Sequence, residues 1–545
     1  MNTRNSKIKQ LFVLSLLFVT FLTIFSYLFA RVFLILISSF SYIEAILTST
    51  LLMAEGFILI HALGYFLNVF RVIKQSGSFN PILEEPKLGS YPPVAVVVAS
   101  YKEPINVLKD TLVCFYNLSY PNKHLYFLDD TRYDLPWDTS ENKLKYRQSI
   151  EELCRSLEVN LFRANWHGAK AGMLNDFLQF LSGNAREDFD FYPFSPIKSE
   201  KTEKYLIVFD ADMNPLPDFV EYLVDIMEKN PKVAFTQTPQ YYSNFEFNRV
   251  ARASGLQQAV FYEFICEGKS QQGAMFCCGT NVIYRIEALE DVGGFDEESV
   301  TEDFATSLKF HKGGWESMYL NKVSAFGMGP EDLGAFFKQQ FRWARGTIGV
   351  FRSLPKEFFH YFRKYSVNQW WEHFLSSTHY FIGMVFFIMV LFPIIYLFFN
   401  VPSYLADPII YASAFLPYII LSTWMFIWTL KKRHYTTNDI LSVFIFNAIA
   451  FPVFIKAAVS ALLGIKAGFG ITPKDGSKIL SLRFLIPQTL MALWCFSAVV
   501  WGIQRLYFER EPFYGLLLNV FWTLYNFLLI SSFLYFNHSE EGHEQ

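Results

Sequence analysis

Tyr205-Leu206-Ile207-Val208-Phe209-Asp210-Ala211-Asp212-Met213-Asn214-Pro215 is an apolar run that ends in two carboxylates one residue apart. Bounded downstream by Pro215 and Pro217, it reads as a buried strand entering a loop, and strand periodicity puts residues i and i+2 on one face. Asp210 and Asp212 are therefore expected to point the same way. Two hard oxygen donors at the C-terminal edge of a strand suit Mg²⁺ or Mn²⁺, which keeps one or two protein carboxylates and fills its other positions from water and substrate phosphate. The matching ligand is a nucleotide diphosphate. A solvated strand end or a helix cap has the same short pattern, so the pair carries weight only through its company.

Upstream, strand-like and helix-like runs alternate. Val94 to Ser100 precedes a helix expected over Pro104 to Asn117, Leu125 to Asp130 precedes a helix around Glu151, and Asn160 to Ala164 precedes a helix from Ala169. Such alternation argues an α/β domain with a mostly parallel sheet and helices on both faces, which binds ligands beyond the C-terminal strand ends. Four strand ends are polar: Ser100-Tyr101-Lys102-Glu103, Asp129-Asp130-Thr131-Arg132, Asn165-Trp166-His167-Gly168-Ala169-Lys170, and Asp210-Ala211-Asp212. Any one is ordinary turn chemistry; four in succession read as a nucleotide-sugar cradle.

Downstream lie Phe276-Cys277-Cys278-Gly279-Thr280-Asn281, Thr301-Glu302-Asp303, and Gln339-Gln340-Phe341-Arg342-Trp343. Thr301 is a plausible N-cap with Asp303 in the first turn, which capping and the helix dipole explain by themselves. A carboxylate there can equally serve as general base towards an incoming hydroxyl. Gln339, Arg342 and Trp343 fall on one helix face, as a surface cation–π pair or as a platform on which a sugar ring stacks.

Hydrophobic residues make up 52% of the 545, with 60 Phe, and mean hydropathy is +0.21. These values indicate an integral membrane protein with the apolar sequence at its two ends. Basic residues precede Leu11 to Phe40, and Arg71 and Lys74 follow Tyr42 to Phe70, so residues 1–74 are expected to form a transmembrane hairpin with both ends cytoplasmic. Arg31 is expected to snorkel towards the far interface. A linker over 75–90 then leads to a cytosolic domain over 91–350. Residues 351–545 return to the bilayer: an interfacial amphipathic helix over Glu357 to Phe374, then spans over Tyr380 to Phe399, Ile409 to Leu430, Phe484 to Phe508 and Phe513 to Phe536, roughly six in all. Asp439 to Ile465 is apolar enough to cross but ambiguous. A net charge of -3 and the lack of a basic tract with interleaved aromatics give no reason to invoke nucleic acid. The six Cys include no C-x-x-C pair, so neither a zinc site nor a disulfide framework is indicated.

The set Asp129-Asp130, Asp210-Ala211-Asp212, Thr301-Glu302-Asp303 and Gln339-x-x-Arg342-Trp343, in this order, resembles the processive family-2 glycosyltransferases and most closely the bacterial cellulose synthase catalytic subunits. Ser100-Tyr101-Lys102-Glu103-Pro104, Ala169 to Asn175 and Phe276 to Asn281 look like the same family. The resemblance implies a GT-A fold in an inner or plasma membrane protein, its catalytic domain in the cytoplasm. It implies a nucleotide-sugar site at Tyr101, Glu103, Asp129, Asp130, Lys170, Asp210, Gln339 and Arg342, with Mg²⁺ or Mn²⁺ on Asp210 and Asp212. Asp303, flanked by Thr301 and Glu302, is the implied catalytic base, and Trp343, Cys278 and Gly279 the implied acceptor site. A gating loop over 469–476, with Phe469, Thr472 and Lys474, is implied to close over the UDP-loaded site, which places 439–465 along the interface; Ile471 stands where the family pattern has Val. The implied partners are a UDP-sugar donor, a growing polysaccharide and the lipid bilayer. The implied reaction is inverting transfer of glucose from UDP-glucose to a β-glucan that is moved across the membrane. A hyaluronan- or chitin-like synthase, or a transferase to a lipid carrier, is the alternative, and a transporter or scaffold with a degenerate nucleotide-binding domain is the reading from another class. The chain departs from the bacterial cellulose synthases in its single N-terminal hairpin and in ending at Gln545, so control by cyclic-di-GMP through a C-terminal domain is not expected. It departs from hyaluronan synthases in having Thr301-Glu302-Asp303-Phe304 where they have Gly-Asp-Asp-Arg.

Overall fold

The computed structural model describes residues 3–78, 83–184, 186–195, 203–402, 408–465, 478–509 and 513–538. Two long helices, α1 (Thr3–Ile37) and α2 (Tyr42–Ser76), open the chain. Ser41 starts α2 with a reciprocal capping box to Glu44, and Gly77 ends it in the left-handed region, where glycine bears no Cβ penalty. Arg31 is buried and paired with Glu55 of α2 at 2.5 Å, with Tyr27 donating to the same carboxylate at 3.0 Å. The expected snorkelling is thus replaced by a partner on the neighbouring helix, which removes the need to reach an interface.

The central domain follows in the order β1 (Val94–Ser100), α3 (Ile105–Tyr116), β2 (Lys123–Asp129), α4 (Ser140–Ser156), β3 (Asn160–Arg163), α5 (Ala169–Leu181), β4 (Asp190–Tyr192), β5 (Tyr205–Asp210), β6 (Asn214–Pro215), α6 (Phe219–Lys229), β7 (Val233–Gln237) and β8 (Tyr241–Tyr242). Then come α7 (Arg249–Val260), a π-turn (Phe261–Ile265), α8 (Cys266–Ser270), β9 (Val282–Arg285), α9 (Ile286–Asp291), α10 (Glu302–Lys312), β10 (Glu316–Tyr319) and β11 (Ala325–Gly327). Eight strands form one sheet in the order β10-β7-β9-β5-β1-β2-β3-β4, and β6-β11-β8 form a small second one. The β1–β2, β1–β5, β2–β3 and β7–β10 pairs are parallel, whereas β4 and β9 run antiparallel to their neighbours.

Alternation along the central strands divides the core into two layers. Val94, Val96, Val98, Tyr205, Ile207 and Phe209 pack under α3, α4 and α6. Ala95, Val97, Leu206 and Val208 face α5, α9 and α10. Because both faces are covered, the strands are continuously apolar, as parallel sheets require. Register then sets the site: Ser100 pairs with Asp129 and Ala99 with Asp210, so three strands end side by side.

Helix α11 (Leu333–Tyr361) begins at the N-cap Asp332 and runs through Gly346 and Pro355. The interfacial helix expected over 357–374 is instead the end of α11, a 3₁₀ turn at Phe362–Lys364, and the start of α12 (Val367–Thr378). Ser366 and Gln369 form a capping box that starts a new helix there, a signal stronger than the amphipathic pattern running through it. The chain closes with α13 (Ile382–Phe399), α14 (Pro408–Lys431), α15 (Thr437–Ile449), α16 (Phe451–Leu462), α17 (Ile486–Phe508), α18 (Phe513–Ser531) and the short α19 (Phe533–Phe536). Among the described residues six helical segments are long and apolar enough to cross a membrane, and α15 with α16 forms a pair bent by 51°. Their outward faces carry Phe, Leu and Trp, including Phe29, Trp424, Trp501 and Phe521, as a membrane-embedded module should.

Candidate active site

The site lies where β1, β2, β3 and β5 end. Strand β5 stops at Asp210, and Ala211 and Asp212 form a turn closed by Met213 N–H donating to the Asp210 carbonyl at 3.1 Å. Asp212 thus lies in a turn and outside β5, so strand alternation does not set its direction. Ala211 is buried, its carbonyl accepting from Thr111 at 2.8 Å, while Asp210 and Asp212 stay half-buried. Thr280 Oγ1 accepts the Asp210 N–H at 2.8 Å and so fixes the strand end to the loop before β9.

Asp129 and Asp130 part company. The Asp129 carboxylate is engaged inside the protein by Arg163 at 2.8 Å, Tyr133 O–H at 2.9 Å and Thr131 N–H at 3.2 Å. Asp130 is also buried, yet its Oδ1 has no hydrogen-bond partner. Burial and the Asp129 charge push the Asp130 carboxyl up to about 7, against the pull of His167 and Arg132. Of the two, Asp130 is the one with capacity for a ligand. Tyr101, Lys102 and Glu103 turn away from β1 with Lys102 at φ +56°, and Lys102 lies over the Tyr101 and Trp137 rings.

Gly168 and Ala169, both in the left-handed region, swing the chain into α5 so that Lys170 reaches the centre. Glycine suits the φ of +56° at 168, and a β-carbon there would displace the Glu297 carboxylate, 2.6 Å away. The Lys170 ammonium pairs with Asp210 and donates to the Gly279 carbonyl at 2.7 Å. Burial works against its charge, but Asp210, Glu302 and Asp303 outweigh that and hold it firmly protonated.

Thr301 occupies the N-cap of α10 without a side-chain capping bond, which removes the capping explanation for the threonine. Asp303 Oδ1 accepts the Phe304 N–H at 2.7 Å, and its other oxygen faces Gly279, where a β-carbon would lie 3.0 Å away. Gly279 has φ +80°, so both its backbone and its missing side chain leave room beside the carboxylate. Burial and the neighbouring Glu302 push the Asp303 carboxyl up to about 8, and burial raises Glu302 as well. Cys278 N–H donates to Gln237 Oε1 at 2.9 Å, Gln240 donates to the Cys278 carbonyl at 3.1 Å, and Ser307 bridges Cys277 N–H and the Asp303 carbonyl.

Gln339, Arg342 and Trp343 are half-buried on α11. Gln339 donates to Tyr242 O–H at 3.3 Å, and the Arg342 charge acts on Glu302. One turn beyond Trp343, a β-carbon at Gly346 would overlap the Thr301 methyl. Glycine thus lets the α11 face that bears Arg342 and Trp343 close on the start of α10. Phe469, Thr472 and Lys474 lie outside the described residues.

Sequence reasoning missed several supports: Gln237 at the end of β7, Gln240 just beyond it, Ser307, and Arg163 behind Asp129. Gln237-Thr238-Pro239-Gln240 is itself a polar strand end, so the criterion that singles out the other four finds it too. His167 sits in one of those four without a motif signal of its own; it joins Asp176 and Glu297, each at 2.9 Å, and the carboxylates raise its pKa against the effect of burial.

The "Glycosyl transferase family 2" model matches residues 95–293 and the "Glycosyl transferase family group 2" model matches residues 205–430. Residues 95–430 are thus similar to the family-2 glycosyl transferases. The chain is 26% identical over 473 residues to the "Cellulose synthase catalytic subunit [UDP-forming]" of Pseudomonas fluorescens, covering 83% of this chain and 57% of that one. It is 25% identical over 504 residues to "Cellulose synthase 1" of Komagataeibacter xylinus, covering 90% and 30%. With the protein of Komagataeibacter sucrofermentans that bears the same name as the Pseudomonas one it shares 29% identity over 318 residues, covering 57% and 37%. The chain therefore spans little more than half the length of the first of these relatives and less of the others. Among solved structures it is similar to a mannosyltransferase from Pyrobaculum calidifontis in complex with GDP-Man and Mn²⁺, with 15% identity, a TM-score of 0.48, and coverage of 77% of this chain and all of that one. The mostly parallel sheet with helices on both faces is the architecture expected of a GT-A domain.

The donor set also bears on a metal. Among the described residues no three His, Cys, Asp or Glu side chains come together as a closed metal site. Asp210 and Asp212 alone supply two half-buried carboxylates, the donor number Mg²⁺ or Mn²⁺ accepts when phosphate and water complete its shell.

Proposed function

We propose that this protein is a membrane-embedded, processive, inverting glycosyltransferase. It extends a β-glycan from a UDP-sugar, UDP-glucose in the first instance, and passes the product through its own apolar helices, with the catalytic domain on the cytoplasmic side. The observation that carries this reading is the convergence of Asp303, Glu302, Lys170 and Asp210 beside Gly279, under the α11 face of Gln339, Arg342 and Trp343. The cellulose synthases among its relatives support glucose and polymer elongation.

Each role follows from the chemistry of the group. Asp130 reads the nucleoside, and Asp129 with Arg163 holds that strand end in place. Asp210, Asp212 and Arg342 address the diphosphate; the two carboxylates would hold a divalent cation, which when bound would supply charge to offset that of the leaving UDP. Asp303, whose raised pKa suits a base working near neutrality, takes the proton from the acceptor hydroxyl as that oxygen attacks the anomeric carbon. Trp343 stacks on the acceptor sugar, and Cys278 and Gly279 form the wall opposite. Lys170 ties the donor side at Asp210 to the acceptor side at Gly279.

Asp303→Asn tests the assignment. Transfer is expected to fall by about 10²–10⁴-fold while UDP binding, measured by calorimetry, stays within about twofold. Wild-type polymer synthesis by that variant would refute the role of Asp303.

A further inference from the structure

One of the places where the apolar helices grip the α/β domain is a short segment, the π-turn 261–265 and the helix α8 that follows it. The π-turn carries a non-helical Glu263 (φ -66°, ψ -124°), and the side chains of Glu263 and of Glu267 on α8 both reach the turn between α14 and α15. Arg433 of that turn meets both: it pairs with Glu263 and engages Glu267 in a fork, at 3.0 and 2.6 Å. Its guanidinium lies 4.4 Å from the centroid of the Phe264 ring. Tyr435 donates to Glu263 at 3.0 Å, and Asn321 donates to both carboxylates. Arg433 is 5% exposed and Glu267 9%, so this is a closed cluster and not a surface ion pair.

The residues beside Glu263 lead to the acceptor wall. Tyr262 is buried, stacks on Tyr319 with ring centroids 6.2 Å apart, and its hydroxyl meets the Cys278 thiol. Phe261 packs on Phe276 at 5.8 Å, and Phe276 on Phe304 at 4.5 Å, the residue next to Asp303. Two adjacent side chains of the π-turn thus support the 276–280 loop on one side and the start of α10 on the other. The donor half, from Tyr101 to Asp212, is built on other elements, the ends of β1, β2, β3 and β5.

We propose that Arg433 is a positioning residue: by locking Glu263 and Glu267 it fixes the π-turn, and through Tyr262 and Phe261 it sets the acceptor end against Asp303. The role rests on the glycosyltransferase reading and adds to it a contact from the membrane module that selects transfer to the polymer over transfer to water. A misplaced acceptor leaves donor binding intact and lets water take the glycosyl group, releasing UDP without chain growth.

The test compares wild type, Arg433→Met, Arg433→Lys and Tyr435→Phe as full-length, detergent-purified proteins. The measurements are UDP released, sugar incorporated into polymer, product length, donor KM and Tm. Methionine keeps the stem over Phe264 and removes the charged fork; Tyr435→Phe removes the hydroxyl that bonds Glu263 and Tyr241, leaves Arg433 in place, and carries the test if Arg433→Met does not fold. The expected result for Arg433→Met is a rise of about tenfold in UDP released per sugar polymerised, with shorter chains and unchanged donor KM. Tyr435→Phe should shift the partition the same way by less, at wild-type Tm, and lysine should rescue only part. An unchanged partition and chain length in the folded variants would overturn the proposal, as would a raised donor KM with the partition unmoved. A wild-type protein that turns over no nucleotide sugar would overturn the reading beneath it and the proposal together.

Discussion

At the scale of single residues, the account turns on the protonation of Asp303. A base must be ionised to accept a proton, and burial with the Glu302 charge has raised this carboxyl to about 8. The sign follows directly: kcat/KM should climb with pH, roughly tenfold per unit, and level off above about 8. A flat profile from about pH 6 to 9 would contradict this assignment. Lys170 lowers the Asp303 pKa, so Lys170→Met should move the ascending limb to higher pH as well as weaken donor binding. If the limb stays where it was while the rate falls, Lys170 acts only on the donor. Chelation belongs at this scale too: EDTA should abolish turnover, and Mg²⁺ or Mn²⁺ should restore it, because Asp210 and Asp212 supply too few donors to hold a cation against a chelator.

At the scale of elements, two glycines decide how closely the parts of the site approach. Any side chain at 346 collides with Thr301 and forces α11 away from α10. Gly346→Val is expected to cost about 1–3 kcal/mol of stability and to lose polymer synthesis more completely than UDP binding. Comparing Tm with the two activities checks this, and wild-type synthesis would refute the helix contact. The central strands and the helices that follow the first three of them were legible in the sequence because they obey short-range rules. The runs at Val94, Leu125, Asn160 and Tyr205 are continuously apolar and bounded by polar turns, and each became a strand. The antiparallel insertion of β9 between β5 and β7 was not legible, since Val282–Arg285 looks like any short apolar strand and its neighbours are set by tertiary pairing. The break between α11 and α12 was written in the Ser366/Gln369 capping box, which the amphipathic pattern concealed. In the site, Asp210, Asp303 and Lys170 stood out by motif. The inward turn of Asp129 did not, because its cause is Arg163, a residue 34 positions away.

At the scale of the whole molecule, the membrane helices and the α/β domain are joined by buried polar contacts, not by a linker alone. Arg71 of α2 pairs with Glu372 of α12, and Lys269 of α8 lies 3.5 Å from the same glutamate. Asn68 of α2 packs on Gly268, where a β-carbon would meet the Asn68 backbone at 2.7 Å. His311 of α10 and His373 of α12 share a hydrogen bond of 2.9 Å, with burial pushing His311 well below its usual pKa. The helix α10, which carries Asp303 in its first turn, is therefore tied at its far end to α12, so the placing of Asp303 depends on the apolar helices as well as on the α/β domain. Gly268→Val should lower Tm in detergent, since the α2 contact cannot open around a branched side chain without repacking. An unchanged Tm would mean that this junction carries little of the stability. The sequence announced the apolar helices but not these junctions, because a lone Asn68 or His373 in an apolar stretch carries no local signal of its partner.

The most direct test of the central claim is UDP release measured together with polymer formation. Purified full-length protein would receive Mg²⁺ or Mn²⁺ and UDP-glucose, UDP-N-acetylglucosamine, UDP-glucuronate, UDP-galactose or GDP-mannose, singly and in pairs. The account predicts UDP release from UDP-glucose alone, matched by a high-molecular-weight product that a β-glucanase digests and that Asp303→Asn does not make. A short organic-extractable product, or turnover only with another donor or with two together, would contradict the glucan assignment, and no turnover with any donor would contradict the synthase itself.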